Sequence, residues 1–156
     1  MAALPVKVEH RIGVQAPAQV IWEIVQDVAG WPAWNPLYPA AKGEIQFGSI
    51  LTLEEALPDG PRRTIRPQVT DWTPNEQILW RMNHMGGLIQ GRRYIEIEVL
   101  AEAGCIFSNG EIFEGFGLRL LSRKRRRTIK AGFTAMGEAL RDRAEALFRS
   151  GSGGAT

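Results

Sequence analysis

Residues 27–39, DVAGWPAWNPLYP, place two tryptophans, one tyrosine and three prolines within thirteen residues. Large aromatic side chains are usually buried, and prolines at this density are incompatible with a regular helix or a central strand. The segment is therefore predicted to be an irregular connection in which Trp31 and Trp34 fill one end of the core. The sequence leaves open whether these tryptophans also form a cavity mouth or a movable lid.

Regular elements are predicted before this segment. Residues 5–14 alternate between apolar and polar side chains, which indicates a half-buried strand. Residues 17–28 then carry apolar side chains three and four positions apart, which indicates a short helix. Gly30 is a suitable stop for this helix, and Pro32 prevents its continuation.

Roughly six short strands and one long helix are predicted after it. The helix begins after Gly117, extends to about residue 149, and carries one apolar stripe: Ile129, Phe133, Met136, Leu140 and Leu147. Strands joined by short turns form an antiparallel sheet, and a long helix covering its apolar face gives an α+β architecture. Residues 1–150 are expected to form a single domain, and residues 151–156, GSGGAT, a flexible tail.

The composition limits the class of protein. A chain of 156 residues with 44% apolar and 23% charged residues is typical of one globular domain and not of a disordered chain. No apolar stretch is long enough to span a membrane and no signal-peptide pattern is present, so a cytoplasmic location is expected. The single cysteine, Cys105, cannot form an internal disulfide and lies in an apolar run typical of a buried thiol.

A local run of positive charge lies near the start of the long helix: Arg123, Lys124, Arg125, Arg126 and Arg127. The net charge is only +2, so the rest of the chain sums to −3. No aromatic residue is interleaved with the run, and nucleic acid is not expected as a partner. The simplest interpretation is a solvated helix face, and the alternative is weak contact with an anionic surface.

The facing of the last two strands determines which polar groups enter the core. A three-residue loop at residues 102–104 places Ile97 opposite Asn109, and Arg93 diagonal to Glu111. In that register four alternate residues face inward: Phe107, Asn109, Glu111 and Phe113. A two-residue turn reverses the facing and buries another set: Ile106, Ser108 and Ile112. We prefer the first register because it buries two phenylalanines.

The element order and several motifs together resemble the SRPBCC proteins, the START-like or polyketide cyclase/dehydrase-like group that shares the birch pollen allergen fold. The resemblance covers about residues 4–149 and depends on these positions: Trp22, Trp31-Pro32, Trp34-Asn35-Pro36, Gly43, Gly115 and GFTAMGEALRDRAE in the last helix. It implies a helix-grip fold, β-α-α-β6-α, with a curved antiparallel seven-stranded sheet wrapped around the C-terminal helix over an internal cavity. The group includes carriers, cyclases, hydroxylase components and regulators, so the fold selects no activity.

The walls of the expected cavity are predominantly apolar. The sheet and the helix contribute eleven side chains: Leu51, Leu53, Trp80, Met82, Ile95, Ile97, Phe107, Phe113, Phe133, Met136 and Leu140. Arg93, Asn109 and Glu111 are the polar candidates, with His84 near the end of its strand. Apolar walls with a few polar groups are typical of a small-molecule site.

Glu111 is the most informative of the polar candidates, because a buried carboxylate is costly unless it is paired. Arg93 is its expected partner. The pair is either structural or an anchor for the polar head of a ligand. Alternatively, Glu111 with a raised pKa acts as a general base, assisted by Asn109.

The expected function is binding of a small hydrophobic or amphipathic molecule, lipid-like or aromatic, in the internal cavity. One alternative is a cyclase or dehydratase that uses Glu111 or Asn109, and another is a non-catalytic module that docks through the basic run. No cofactor motif is present, and no metal site is expected because His10 and His84 lie on separate strands without ligands at metal spacing. The sequence does not predict an oligomeric state.

Overall fold

A computed structural model describes residues 4–58 and 60–154 of the chain. Strand β1 is followed by helix α1, a 3₁₀ helix, seven further strands with two more 3₁₀ helices, and the long helix α2. The bounds are β1 (Val6–Val14), α1 (Ala18–Gln26), a 3₁₀ helix (Val28–Ala33), β2 (Ala40–Lys42), β3 (Thr52–Glu55), β4 (Arg63–Ile65), β5 (Gln68–Thr73), β6 (Gln77–His84), a 3₁₀ helix (Met85–Gly87), β7 (Ile89–Ala101), β8 (Gly104–Glu114), a 3₁₀ helix (Phe116–Leu120) and α2 (Arg123–Gly154).

The strands form two antiparallel sheets, which confirms the predicted α+β helix-grip class but corrects the strand count. One sheet has five strands in the order β1-β8-β7-β6-β5, and the other has three in the order β2-β3-β4. The predicted single sheet of seven strands is therefore wrong in detail. Pro67, which has no backbone N–H, separates β4 from β5, and the two strands pair with different partners. The second helix implied by the resemblance is the 3₁₀ helix that contains Pro32.

The β7–β8 hairpin confirms the predicted facing and corrects the predicted register. Phe107, Asn109, Glu111 and Phe113 are all buried on the inner face. Only two residues separate the paired Ala101 and Gly104, and a bulge at Leu100 then shifts the ladder by one residue. The turn and the bulge each reverse the facing, so together they restore it. As a result Arg93 lies directly opposite Glu111, where a diagonal position was predicted.

Helix α2 begins at Arg123, later than the predicted start after Gly117. Gly115 has a φ of +123° at the end of β8, and a 3₁₀ helix occupies the following residues. Ser122 caps α2 because its Oγ accepts a hydrogen bond from the Arg125 backbone N–H at 3.1 Å. The helix reaches Gly154, beyond the predicted end at residue 149. The prediction of a flexible tail stays untested, and residues 155 and 156 lie outside the described part of the chain.

The apolar stripe of α2 packs against the inner face of the larger sheet. Its buried members are Ile129, Phe133, Met136, Leu140 and Ala144. Leu147, the last residue of the predicted stripe, is half-exposed and lines a cleft between α1 and α2. None of the helices within residues 4–58 and 60–154 is long and apolar enough to cross a membrane.

Candidate functional site

A cluster of buried ionisable side chains lies on the inner face of the sheets. Arg93 of β7 is its centre and is 2% exposed. Arg93 Nε donates to Glu111 Oε1 at 2.8 Å, Nη1 donates to the Tyr38 hydroxyl at 2.7 Å, and Nη2 lies 2.5 Å from Glu55 Oε2. The ring centroid of Phe133 on α2 lies 5.4 Å from the guanidinium carbon. Arg93 therefore holds two carboxylates and a phenol beneath the helix. We call five residues the charged cluster: Arg93, Glu55, Glu111, Tyr38 and His84.

Glu55 connects this cluster to the surface. Its Oε1 accepts a hydrogen bond from Arg63 Nε at 2.8 Å, and the Arg63 side chain is partly exposed. Burial raises the pKa of the Glu55 carboxyl, but Arg93 and Arg63 outweigh burial and lower this pKa to about 2. Glu55 is therefore ionised at neutral pH.

Glu111 bridges Arg93 and His84. Its Oε2 lies 2.7 Å from His84 Nε2. Burial raises the pKa of Glu111, but the charge of Arg93 and the hydrogen bond from His84 outweigh burial and hold the pKa below its usual value. This direction is opposite to the sequence-based alternative in which Glu111 has a raised pKa, because Arg93 and His84 both favour the ionised carboxylate.

His84 is the member of the cluster closest to solvent, with its side chain 12% exposed. The ring stacks at an angle on Phe113, with centroids 5.6 Å apart. Glu111 occupies Nε2, which leaves Nδ1 as the ring nitrogen that does not contact Glu111. Gly91 creates the space for this pair: a Cβ built at Gly91 would lie 2.8 Å from His84 Nε2 and 2.9 Å from Glu111 Cδ.

The aromatic segment at residues 27–39 supplies the remaining member of the cluster. Trp31 is fully buried, its Nε1 donates to the Val25 carbonyl at 3.0 Å, and its ring stacks on Tyr38 with centroids 5.4 Å apart. Asn35 Oδ1 accepts from the Leu37 backbone N–H at 3.0 Å and fixes the turn that leads to Tyr38. Burial raises the pKa of Tyr38 to about 12, so the phenol stays protonated. The segment both fills the core and delivers a hydroxyl to Arg93.

The predicted apolar wall residues all belong to one buried core cluster: Leu51, Leu53, Trp80, Met82, Ile95, Ile97, Phe107, Phe113, Phe133, Met136 and Leu140. Trp34 is only partly buried at the edge of that core. Asn109 lies apart from the charged cluster, because its Nδ2 donates to the Phe133 carbonyl of α2 at 3.1 Å. Whether these residues contact a ligand stays a prediction.

Three clefts in the described part of the chain each include one of the predicted residues, and one of these, of about 460 Å³, includes Ile97 and is lined mainly by charged residues of β1 and β7. Another cleft, of about 320 Å³, lies between α1, the following 3₁₀ helix and α2, and it includes Trp34. The third cleft, of about 630 Å³, lies between the β4–β5 junction and the strands β6 and β7, and it includes Met82. Most of the side chains that line the third cleft are on the outer face of the sheet, among them Arg81, Asn83 and Arg92.

Sequence reasoning missed Glu55 and Tyr38. The alternation of Leu51, Leu53 and Glu55 placed the carboxylate on the buried face of β3, and that pattern was a usable signal. Tyr38 lies in irregular structure, where no periodicity indicates which way a side chain points.

Acid should destabilise the fold through Glu55. Because its pKa is about 2 in the folded chain and about 4.5 ordinarily, Glu55 stabilises the fold fully above about pH 5 and progressively less as the pH falls towards 2. The loss amounts to about 3 kcal/mol of the free energy of unfolding. Urea denaturation across this range measures it. Glu55→Gln should flatten the pH dependence, whereas Glu54→Gln, on the opposite face of β3, should not; equal slopes in the two variants would contradict the assignment.

The amino-acid sequence and the fold both match known proteins. Residues 5–147 match the family described as polyketide cyclase / dehydrase and lipid transport. No curated protein gives a significant sequence match.

Three solved structures illustrate the likeness of fold. The Zhui aromatase/cyclase from Streptomyces sp. R1128 is 18% identical with a TM-score of 0.77, over 95% of this chain and 98% of that one. A START superfamily protein from Mycobacterium smegmatis is 19% identical with a TM-score of 0.73, over 90% and 98%. The di-domain ARO/CYC StfQ of the steffimycin biosynthetic pathway is 15% identical with a TM-score of 0.69, over 96% of this chain and only 52% of that one. At these identities the likeness establishes a shared fold.

Proposed function

The chain belongs to the polyketide cyclase/dehydrase and lipid transport family, and from this premise we propose that it binds a small hydrophobic or amphipathic molecule, lipid-like or aromatic. The molecule lies between the larger sheet and α2. Its apolar body contacts the side chains of the core, and its polar group lies at Arg93, Glu111 and His84.

The observation that carries this proposal is the charge buried in an otherwise apolar interior. Arg93, Glu55 and Glu111 are each at most 2% exposed. Removing such ions from water costs several kcal/mol each, and well-packed apolar side chains usually stabilise a core at least as well. Packing of the core does not require these charges, whereas orienting the polar group of a ligand does.

Unpartnered polar atoms in the same interior support it. Trp80 Nε1 and Asn109 Oδ1 are buried and have no hydrogen-bond partner within the described residues. Buried polar groups are normally hydrogen-bonded, so an N–H donor and an amide acceptor without partners suit a bound molecule.

Ligand binding can be tested in two steps. Native mass spectrometry of the protein purified from its own cells should show a bound small molecule that organic extraction removes. Fluorescence titration with 2-naphthol, a small aromatic molecule with one hydroxyl, should then give saturable binding that Glu111→Gln weakens about tenfold, because a hydrogen bond to a charged group is lost. Glu114→Gln, on the outer face of the same strand, is the matched control. Equal affinities in the two variants would remove Glu111 from the site, and absence of any bound mass together with no saturable binding would contradict the proposal.

A second candidate function, acid–base catalysis, is favoured by the 2.7 Å contact between His84 Nε2 and Glu111 Oε2. In this arrangement His84 Nδ1 takes a proton from a carbon next to a carbonyl, and the ionised Glu111 stabilises the imidazolium that forms. Arg93 holds Glu111 through its Nε, and Gly91 leaves the space that the pair occupies. A cyclase or dehydratase acting on a polyketide-like substrate requires such a step.

Proton–deuterium exchange tests this candidate. The protein should accelerate exchange of the protons between the two carbonyls of ethyl acetoacetate, followed by NMR, and His84→Gln should reduce that acceleration by about a hundredfold or more. His10→Gln, which replaces the other histidine, should leave it nearly unchanged. If the wild-type protein exchanges no faster than buffer, the catalytic candidate is wrong and ligand binding alone is retained.

A further inference from the structure

Four large apolar side chains are exposed together at the end of the molecule where β6 turns into β7. They are Met85 (55% exposed), Leu88 (50%), Phe116 (94%) and Leu120 (59%), and we call them the apolar tip. The Gly117 backbone N–H donates to the Leu88 carbonyl at 2.8 Å, which fixes the 3₁₀ helix Phe116–Leu120 against the β6–β7 turn. Contiguous exposed apolar side chains of this kind mark an interaction surface.

The backbone holds these side chains outward. Leu118 and Leu121 are buried on the other side of the same segment, so Phe116 and Leu120 cannot turn inward without displacing them. Met85 has a φ of +53°, a conformation that is unfavourable by about 1–2 kcal/mol for a residue with a side chain. The apolar tip is therefore a fixed feature of the fold.

Positive charge borders the apolar tip. The nine residues 119–127 contain six cations, and no acidic residue lies between Glu114 and Glu138. None of these six cations takes part in an ion pair with the part of the chain that the structure describes. The N-terminus of α2 lies within the same run and adds its partial positive charge.

We propose that this end of the molecule docks on the surface of an anionic lipid bilayer. The apolar tip inserts among the acyl chains near the headgroups, while the exposed Arg119, Arg123, Lys124 and Arg127 contact lipid phosphates and carboxylates. Apolar side chains beside basic residues are the combination that binds anionic membranes from one side. Electrostatic repulsion between the six cations opposes docking of a second copy through the same face. No residue of the charged cluster belongs to this surface, so separate variants test docking and ligand binding.

Vesicle co-sedimentation tests the proposal with the intact chain. The protein should bind vesicles of phosphatidylcholine containing about one third phosphatidylserine, and bind pure phosphatidylcholine vesicles far more weakly. Removing three cations in R123Q/K124Q/R127Q should weaken binding by roughly a hundredfold, at about fivefold per cation. Phe116→Ser should weaken it by about tenfold, because the phenyl ring no longer leaves water.

Two matched controls locate the surface. R141Q/R143Q/R149Q removes three cations from the second half of α2, and Leu100→Ser removes an exposed apolar side chain at the opposite end of β7; both should bind vesicles like the wild type. Losses equal to those of the tip variants would overturn the assignment. Absence of binding to anionic vesicles would overturn it as well, as would a dimer in sedimentation equilibrium that Phe116→Ser dissociates. Titration of the same variants with 2-naphthol measures ligand binding in the interior separately from vesicle binding.

Discussion

Replacing Arg93 with methionine should lower the free energy of unfolding by about 3–5 kcal/mol at neutral pH. The side chain is the only buried cation that contacts both Glu55 and Glu111 in the described residues, and without it two buried carboxylates face each other across a gap. Tyr38 loses its hydrogen bond in the same change. Urea denaturation followed by tryptophan fluorescence measures the loss, and the variant should be more stable at mildly acidic pH than at neutral pH because protonation relieves the repulsion.

Arg92→Met is the matched control for this change. Arg92 is the next residue on β7, faces outward, and forms an exposed ion pair with Glu114. Exposed pairs contribute about 0–1 kcal/mol, so this variant should unfold nearly as the wild type does. A similar loss of stability in both variants would mean that the arginine of the charged cluster is not the origin of the effect.

A triple variant separates stability from function. Replacing Arg93, Glu55 and Glu111 together with methionine, leucine and leucine removes all three charges and should recover most of the stability lost in Arg93→Met. The same variant should bind 2-naphthol no better than Glu111→Gln. A recovered fold with weakened binding is the expected result if the cluster serves a ligand, and recovery of both would assign the charges to folding alone.

Much of the fold was predictable because its signals are local. The alternation in β1 and β7 and the apolar stripe of α2 each follow from the period of one element, and the element order then indicates a sheet covered by a helix. The number of sheets was not predictable in this way. Pro67 indicated that a strand is interrupted. That β4 and β5 belong to different sheets depends on which strands pair, and the sequence around Pro67 does not show this.

The same distinction applies to the charged cluster. Arg93 and Glu111 were predicted as neighbours because adjacent strands and a short turn determine their facing, and only the bulge at Leu100 changed their register. Glu55 comes from the other sheet and Tyr38 from an irregular segment, so both meet Arg93 through long-range packing. His84 was placed at the end of its strand, but its contact with Glu111 depends on the missing side chain of Gly91.

The aromatic segment at residues 27–39 contributes both to the fold and to the charged cluster. Its prolines exclude regular structure, and the path they impose stacks Tyr38 on Trp31 and directs its hydroxyl to Arg93. The segment that was predicted to fill one end of the core is therefore also a wall of the candidate site. Movement of the segment would break the Tyr38–Arg93 hydrogen bond, so the charged cluster holds the segment against the sheet.

Replacing Gly91 with alanine should lower the free energy of unfolding by about 2–4 kcal/mol and separate His84 from Glu111. The new Cβ would lie 2.8 Å from His84 Nε2 and still closer to Glu111 Oε2, so the pair must move apart. Overpacking typically costs about 1–3 kcal/mol, and the loss of a hydrogen bond to a charged group adds to this. Urea denaturation measures the stability, and the NMR signals of the His84 ring report on the contact.

Gly13→Ala provides the matched control for this last substitution. A Cβ at Gly13 of β1 meets nothing within 4 Å, so alanine there should leave stability unchanged or raise it by about 0.5–1 kcal/mol. Glu111→Ala in the Gly91→Ala background should be less harmful than in the wild type, because it also removes the side chain that clashes with the new Cβ. If the effects of Gly91→Ala and Glu111→Ala simply add, the space at Gly91 is not what permits the His84–Glu111 contact, and the catalytic candidate loses the feature that positions its base.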